Sequence, residues 1–411
     1  MNILHVAREY PPSRKRGGIG TYVKQIAEVL DQAGHNVFVI CAADNLTDYS
    51  VSTEGNRITV VRLPGADFYV GSSLAARLKN RLRRITHFIS YRWRVAREVR
   101  KLARQHKIDV IEFPEFGAEA LIYLLSGRRD APVVIRIHGP TALDNSQGRL
   151  ASIFSSPIVR LRALPEHIAL RRADAITYNS AGMRSVMTPL LKSFRGPQAI
   201  IHNCIDLESL PSLTSETARP RPSRSLEVVY AGTVVVHKGV VELVEAVRLL
   251  RERGLDINLT LAGAYGALGA QLYRRAITDP DYSAWLRVSG RVDRQKLFQM
   301  FANADVVALP SWWEPFGLVC IEAMAVGALV VGSSSGGMRE IITDGVDGFL
   351  VAPRSPEALA DCLAKAVALE ERRRAEISAE AKKTVAARFN ASQMCADSLA
   401  FYRDLIRNRT A

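Results

Sequence analysis

Two glutamates, Glu314 and Glu322, stand eight residues apart at the ends of the segment EPFGLVCIE. The run DVVALPS ahead of it reads as a buried strand, and the apolar run behind it as a helix from about Gly317. Proline near a helix start removes no N–H that the helix would need. The amides of Phe316, Gly317 and Leu318 are then left to hold a phosphate or sugar oxygen. Glu322, one to two turns in, would by itself only complement the helix dipole, for roughly 0.3–1 kcal/mol. That leaves Glu314 and the WWEPFG turn unexplained.

Three more places could hold an anion or a polar ligand. Gly17 and Gly18 follow the first strand and open a helix near Gly20, either as an anion site of close backbone approach or as a plain turn. Lys238, in AGTVVVHKG ahead of a helix from about Val240, is either a solvated charge or a clamp on a diphosphate. His138 ends the run PVVIRIHG, as a hydrogen-bonded structural residue or as one aimed at a ligand.

Residues of this kind need strands that deliver them to one edge of a sheet. NILHVA, NVFVICA, ITVVRL, DVIEF, PVVIRIHG and DAITYNS read as buried strands of a parallel sheet, with amphipathic segments between them. A second series runs through LEVVYAG, INLTLAG, LRVSG, DVVALPS and ALVVGS. Between the series, residues 206–225 hold three prolines and many small polar residues, which predicts a linker. A 411-residue chain suits two domains of about 150–200 residues. The expected fold is therefore α/β, with two doubly wound Rossmann-like domains, 1–205 and 226–388, facing across a deep cleft, and a last helix, 389–411, packing back towards the first domain.

Composition excludes several classes. No apolar stretch reaches the ~18–20 residues of a membrane span, and the start MNILHVAREYPP lacks the features of a signal peptide. Five scattered cysteines without a CxxC argue against a disulfide framework or a zinc site, and a cytoplasmic setting is expected.

Beyond the residue chemistry, the block PSWWEPFGLVCIEAMAVGALVVGSSSGGMREIITDGVDGFLV resembles the signature of the retaining glycosyltransferases of family four, with their GT-B fold and Glu-x7-Glu pair. EYPPSRKRGGIGTYVKQIAEVLDQAGHNV is similar to the opening of that family, DVIEFPEFG to its acceptor-domain strand, and IHNCIDLESL to the segment before its hinge. The likeness covers nearly the whole chain in order. It implies an acceptor domain followed by a nucleotide-sugar domain, and transfer of a sugar to a hydroxyl with retention, giving an α-linkage. Glu314 would lie beside the donor hexose and Glu322 on the ribose. The amides of Phe316, Gly317 and Leu318 would hold sugar and diphosphate, Lys238 would neutralise the diphosphate, and Gly17 and Gly18 would let it approach. His138 would contact the transferred sugar, and Arg291 and Val292 would face the base. No metal or other cofactor is implied. The chain departs from the family in having Gly232-Thr233-Val234 where Gly-Arg-Leu is common, so a diphosphate arginine is missing; Arg14, Lys15 or Arg16 is expected to replace it.

Charge is distributed unevenly. Residues 1–205 carry 30 Lys/Arg against 16 Asp/Glu, whereas 206–411 carry 25 of each, so the whole excess of +14 lies in the first half. Residues 77–107 hold 12 Lys/Arg and one acid, Glu98, around an apolar stripe. This predicts either a packed helix with a solvated basic face or a helix on an anionic membrane surface, with Tyr91 and Trp93 near the headgroups. With aromatics at 7% and no recognition module, nucleic acid is not the expected partner. The expected partners are a nucleotide-sugar and a glycan or glycolipid acceptor, the protein lying peripherally at the inner face of the cytoplasmic membrane. A non-catalytic nucleotide-sugar-binding or scaffold protein of the same fold is the alternative.

Overall fold

The computed structural model describes residues 1–13, 17–44, 47–65, 74–127, 129–144, 147–150, 157–208, 210 and 225–410, with backbone only at 74–87, 157–162 and 410. The chain divides into two compact units. One comprises residues 1–143, 150–203 and 391–411; the other comprises 144–149 and 204–390. The last helix thus groups with the first unit, and a six-residue excursion from inside the first span groups with the second.

The first unit holds β1 (Asn2–Val6), β2 (Asn36–Ala42), β3 (Ser50–Glu54), β4 (Ile58–Leu63), β5 (Val110–Pro114) and β6 (Val133–Ile137). After the short pair β7 (Leu143–Asp144) and β8 (Arg149–Leu150) come β9 (Ala175–Tyr178) and β10 (Gln198–Ile200). Its eight strands are ordered β10-β9-β6-β5-β1-β2-β4-β3. All neighbours pair in parallel except β3, which runs antiparallel to β4 at the edge. The sequence reading misses β3 and β10, and the two-residue pair β7 and β8. β3 is SVSTE, half-exposed and polar on an edge, so no buried apolar run marks it. β1, β5, β6 and β9 are buried along almost their whole length, as strands covered on both faces must be.

The second unit holds β11 (Leu226–Ala231), β12 (Ile257–Ala262), β13 (Leu286–Gly290), β14 (Val306–Leu309), β15 (Val330–Ser333) and β16 (Phe349–Val351). Their order is β13-β12-β11-β14-β15-β16, all parallel. Counted from β11 this is 3-2-1-4-5-6, the doubly wound dinucleotide-binding order, whose ligand crevice lies at the carboxyl ends where the order reverses, between β11 and β14. β16, three residues inside GFLV, is the strand the sequence reading misses here. Two apolar clusters fill the unit, one built around Val228, Leu243, Leu259 and Leu363, the other around Val307, Phe298, Met324 and Ile341.

The basic segment forms one helix, Leu74–His106. Tyr91 is fully buried, which corrects its expected place near headgroups, and Val95, Ala96, Val99 and Leu102 are buried with it. Ile89 and Trp93, by contrast, are about half exposed, at 52% and 54%. Among the described residues no helix is long and apolar enough to cross a membrane.

Candidate active site

The carboxyl ends of β11 and β14 each carry one of the charged residues picked out from sequence. Lys238 closes the short 3-10 turn Val236–Lys238 after β11, and Glu314 sits in the turn after β14. The structure brings them together across the reversal point: Lys238 Nζ lies 2.6 Å from Glu314 Oε2. Both stay partly open, with side chains 26% and 16% exposed. Ser311 adds a hydroxyl bond to the same carboxylate oxygen at 3.1 Å.

Local sequence explains the approach of these two turns. Gly239 has φ +70 and starts the helix Val240–Glu252, and a side chain there would stand 2.0 Å from the Pro310 carbonyl oxygen. Only glycine suits both the left-handed backbone and that contact. Trp312 fastens the same junction, its backbone N–H donating to the His237 carbonyl at 2.9 Å and its indole N–H to Glu242 at 2.7 Å. Behind Glu314, Gly336 has φ +69 with the Glu314 carbonyl oxygen 2.1 Å from where its Cβ would be. The Gly337 N–H donates to that carbonyl at 2.8 Å. The SSSGG turn after β15 therefore props the EPFG turn from beneath.

The helix after Glu314 is Leu318–Ala325, one residue later than expected, with Gly317 as its N-cap. The carbonyl of Gly317 accepts from Cys320 and Ile321. Among the described residues no acceptor takes the amides of Gly317 and Leu318, at the N-terminus of the helix that follows Glu314. Phe316 points inward, buried, with its ring edge-on to Phe389 at 5.8 Å. Glu322 lies one turn into the helix, half-buried and without a hydrogen-bond partner among the described residues. Burial raises its carboxyl above the usual carboxylate range, and Arg294 pulls the other way. Arg291, exposed, and Val292, half-buried, follow β13, just before a helix that Asp293 caps. Lys238 and Glu314 thus meet at the switch point, Gly317, Leu318 and Glu322 follow Glu314 on the next turn and helix, and Arg291 and Val292 emerge two strands from β11.

At Thr233, where the family arginine is missing, the carbonyl accepts the Tyr230 hydroxyl at 2.9 Å, while the residue itself is exposed. Arg14, Lys15 and Arg16 lie outside the described residues. Gly17 caps the helix Gly18–Gln32, two residues earlier than expected. The place its side chain would take is filled by the Glu9 carboxylate, 2.5 Å away. This glycine therefore has a packing reason of its own, with a like charge where an anion is expected.

His138 directly follows β6 in the first unit. Its ring meets the Tyr22 ring edge-on at 5.1 Å, and the Arg136 guanidinium lies 4.0 Å from the centre of that Tyr22 ring. Burial, then Arg136, push the imidazole down to about 3, with Glu112 opposing, so at neutral pH it is uncharged and can accept a hydrogen bond. Sequence reasoning misses the groups that hold its loop, Glu115 and Glu166, as well as Ser311 and Trp312. Glu115 at the carboxyl end of a buried strand is a signal that could have been read; Glu166, far away on a helix, leaves none.

Two doubly wound units, one with a cation, a carboxylate and a helix N-terminus at its switch point, have the makings of a site for a phosphorylated nucleotide. Comparison with known proteins agrees. Residues 16–209 match the family model described as Glycosyltransferase Family 4, and residues 214–384 that described as Glycosyl transferases group 1. A glycogen synthase of Mycobacterium tuberculosis is 30% identical over 368 residues, covering 88% of this chain and 84% of its own. A phosphatidyl-myo-inositol mannosyltransferase of the same species is 31% identical over 356 residues, covering 85% and 82%. Among solved structures, sucrose-phosphate synthase from Thermosynechococcus elongatus aligns at TM-score 0.76 and 21% identity over 99% of both chains. The Anabaena protein Alr3699/HepE, in complex with UDP, aligns at 0.68 and 20% over 98% of this chain and 100% of its own. The chain belongs to the family 4, group 1 glycosyltransferases.

Proposed function

We propose that the protein is a retaining glycosyltransferase that moves a hexose from a nucleotide-sugar to a hydroxyl of a lipid-linked glycan or glycolipid, forming an α-linkage in surface polysaccharide assembly. The observation that carries the donor half of this reading is the Lys238–Glu314 pair, open at the switch point beside the amides of Gly317 and Leu318. In the reaction the acceptor hydroxyl bonds to the anomeric carbon as the bond to the diphosphate oxygen breaks. The departing phosphate takes the hydroxyl proton from the same face. Lys238 and the helix amides stabilise the charge that grows on the diphosphate, as fixed cation and dipoles and without a metal ion. Glu314 holds the hexose, Glu322 the ribose, and neutral His138 accepts a hydrogen bond from the transferred sugar. Arg291 and Val292 border the base, Gly18 leaves room for the diphosphate, and Arg14, Lys15 or Arg16 supplies the charge absent at Thr233.

The helix Leu74–His106 supports the choice of acceptor. Ile89 and Trp93 protrude from it, and the Arg97 guanidinium lies 5.8 Å from the centre of the Trp93 ring. An apolar pair with the Arg97 cation beside it suits reversible docking at an anionic leaflet, each cation near such a surface being worth about 1 kcal/mol.

The test is a panel of UDP-, GDP-, ADP- and dTDP-sugars, scored for binding and slow hydrolysis with chelator present. Hydrolysis of one donor, lost in Glu314→Ala, is the expected result. No binding across the panel would move the weight to a scaffold with a vestigial site. Liposome sedimentation tests the acceptor side: binding to anionic vesicles that salt and Trp93→Ser both weaken is expected, and binding to neither anionic nor neutral vesicles rejects docking.

A further inference from the structure

The loop that presents His138 hangs on two buried carboxylates. Glu115, directly after β5, takes the backbone N–H groups of His138, at 2.9 Å, and Gly139 on a single oxygen, Oε1, while its Oε2 is buried without a hydrogen bond. Glu166, from the helix Pro157–Arg172, uses both oxygens. Its Oε1 accepts the Gly117 N–H at 2.8 Å and the Thr141 hydroxyl; its Oε2 accepts the Thr141 N–H at 2.9 Å. Pro140 has no N–H, so every backbone donor of residues 138–141 ends on one of these two side chains. Both are almost wholly buried, at 1% and 2%. Glu166 also ties the turn after β5, at Gly117, to the turn after β6, at Thr141.

We propose that Glu115 and Glu166 are positioning residues for the transfer, together fixing the 138–141 loop and hence the imidazole of His138 against the sugar; this rests on the role given to His138 above. The two act differently. Glu115 needs one accepting oxygen, which a neutral carboxyl or a carboxamide supplies. Glu166 faces two backbone donors on two different oxygens, which only an ionised carboxylate satisfies. Their surroundings agree. Burial pushes Glu115 up to about 7, with the Gly139 and His138 amides opposing and Glu166 adding to the rise. Glu166 is raised as well, by burial, with Thr141, Gly117 and Arg92 opposing only in part, so its ionised form rests on the donors around it rather than on its surroundings at large. Arg8 and Arg92 face Glu119, in the turn after β5.

Steady-state kinetics and backbone hydrogen exchange on the full chain, in Glu115→Ala, Glu115→Gln, Glu166→Gln and His138→Ala, test this. Misplacing a catalytic group by about 1 Å can cost roughly 100-fold in rate. A loss of that order in kcat is expected in Glu166→Gln, with donor KM little changed and faster exchange of the amides at 117 and 138–141. Glu115→Gln should recover most of what Glu115→Ala loses. Should Glu115→Ala not fold, the two glutamine variants decide alone, and equal behaviour of both overturns the assigned asymmetry. Unchanged exchange in Glu166→Gln, or faster exchange with normal kcat, overturns the proposal. Normal turnover in His138→Ala overturns the role of His138 instead, and the exchange rates then still decide whether the carboxylates hold the loop.

Discussion

The two units bridge the same kind of topological reversal with the same kind of ion pair, but bury it to different depths. Each has a switch point at which the strand after the first reverses side, and each bridges it with an ion pair between the two flanking turns. In the second unit that pair is Lys238–Glu314; in the first it is Arg8, after β1, with Glu119, after β5, at 3.1 Å. Glu119 is 1% exposed and packed beside Arg92, whereas Glu314 is 16% exposed next to free helix amides. One step along the sheet the contrast grows. Glu112, inside β5, is enclosed by His5 at 3.4 Å, the Tyr22 hydroxyl at 2.9 Å and the Tyr402 hydroxyl at 2.7 Å from the last helix. The acid at the first switch point is buried among partners that hold elements together, whereas the acid at the second stays partly open to solvent. A shared topology therefore marks where a site can be, and solvent access with unpaired donors decides whether it is one.

The contrast can be broken by substitution. The largest effect is expected for Glu112→Ala. Burial opposes the Glu112 charge, but the bonds and charges of His5, Arg136 and Tyr402 outweigh it and hold the carboxyl at about 2. Removing a partner from a buried charge network costs about 3–5 kcal/mol, so chemical denaturation should show a loss of that size. Because this folded value lies below the unfolded one, the stabilisation is present above pH 4.5 and disappears as pH falls towards 2. Next comes Lys238→Ala, for which a fall in kcat of roughly 100-fold is expected with little change in melting temperature, since fixed charges at the leaving group are worth that much. An equal loss of stability would make the second pair structural, like the first, and end the contrast.

Gly336→Ala should be milder. It adds a Cβ 2.1 Å from the Glu314 carbonyl oxygen, so the EPFG turn must shift, with a strain of about 1–3 kcal/mol and a weaker affinity for nucleoside diphosphate, measurable by calorimetry. A further effect, in pH dependence, concerns Glu115. Its folded value of about 7 lies above the ordinary 4.5, so the native state loses stability as pH rises from 4.5 through 7. Glu115→Gln should flatten that slope in melting curves; an unchanged slope would mean that Glu115 is ionised throughout.

Much of this was legible in the sequence. Eleven strands were visible as β-branched runs because both faces of a parallel sheet are covered, which makes such strands apolar throughout. Of the missed ones, β3, β10 and β16 are edge strands, short or half polar, where that rule does not apply, and β7 and β8 are a two-residue pair outside both large sheets. Glu314, Lys238 and the start of the Leu318–Ala325 helix could be found because turn chemistry is local: Gly239, Pro315 and Gly317 announce it within a few residues. What sequence alone determined is the two-unit α/β organisation, the charge asymmetry and the residues at strand ends. Tertiary structure decided which of those charges stay open to solvent and which are used up inside, because that depends on partners up to 290 residues away, as Tyr402 is from Glu112. It also decided that Tyr91 is core while Trp93, two residues on, is surface, since helical periodicity gives a stripe but not the neighbour that covers it.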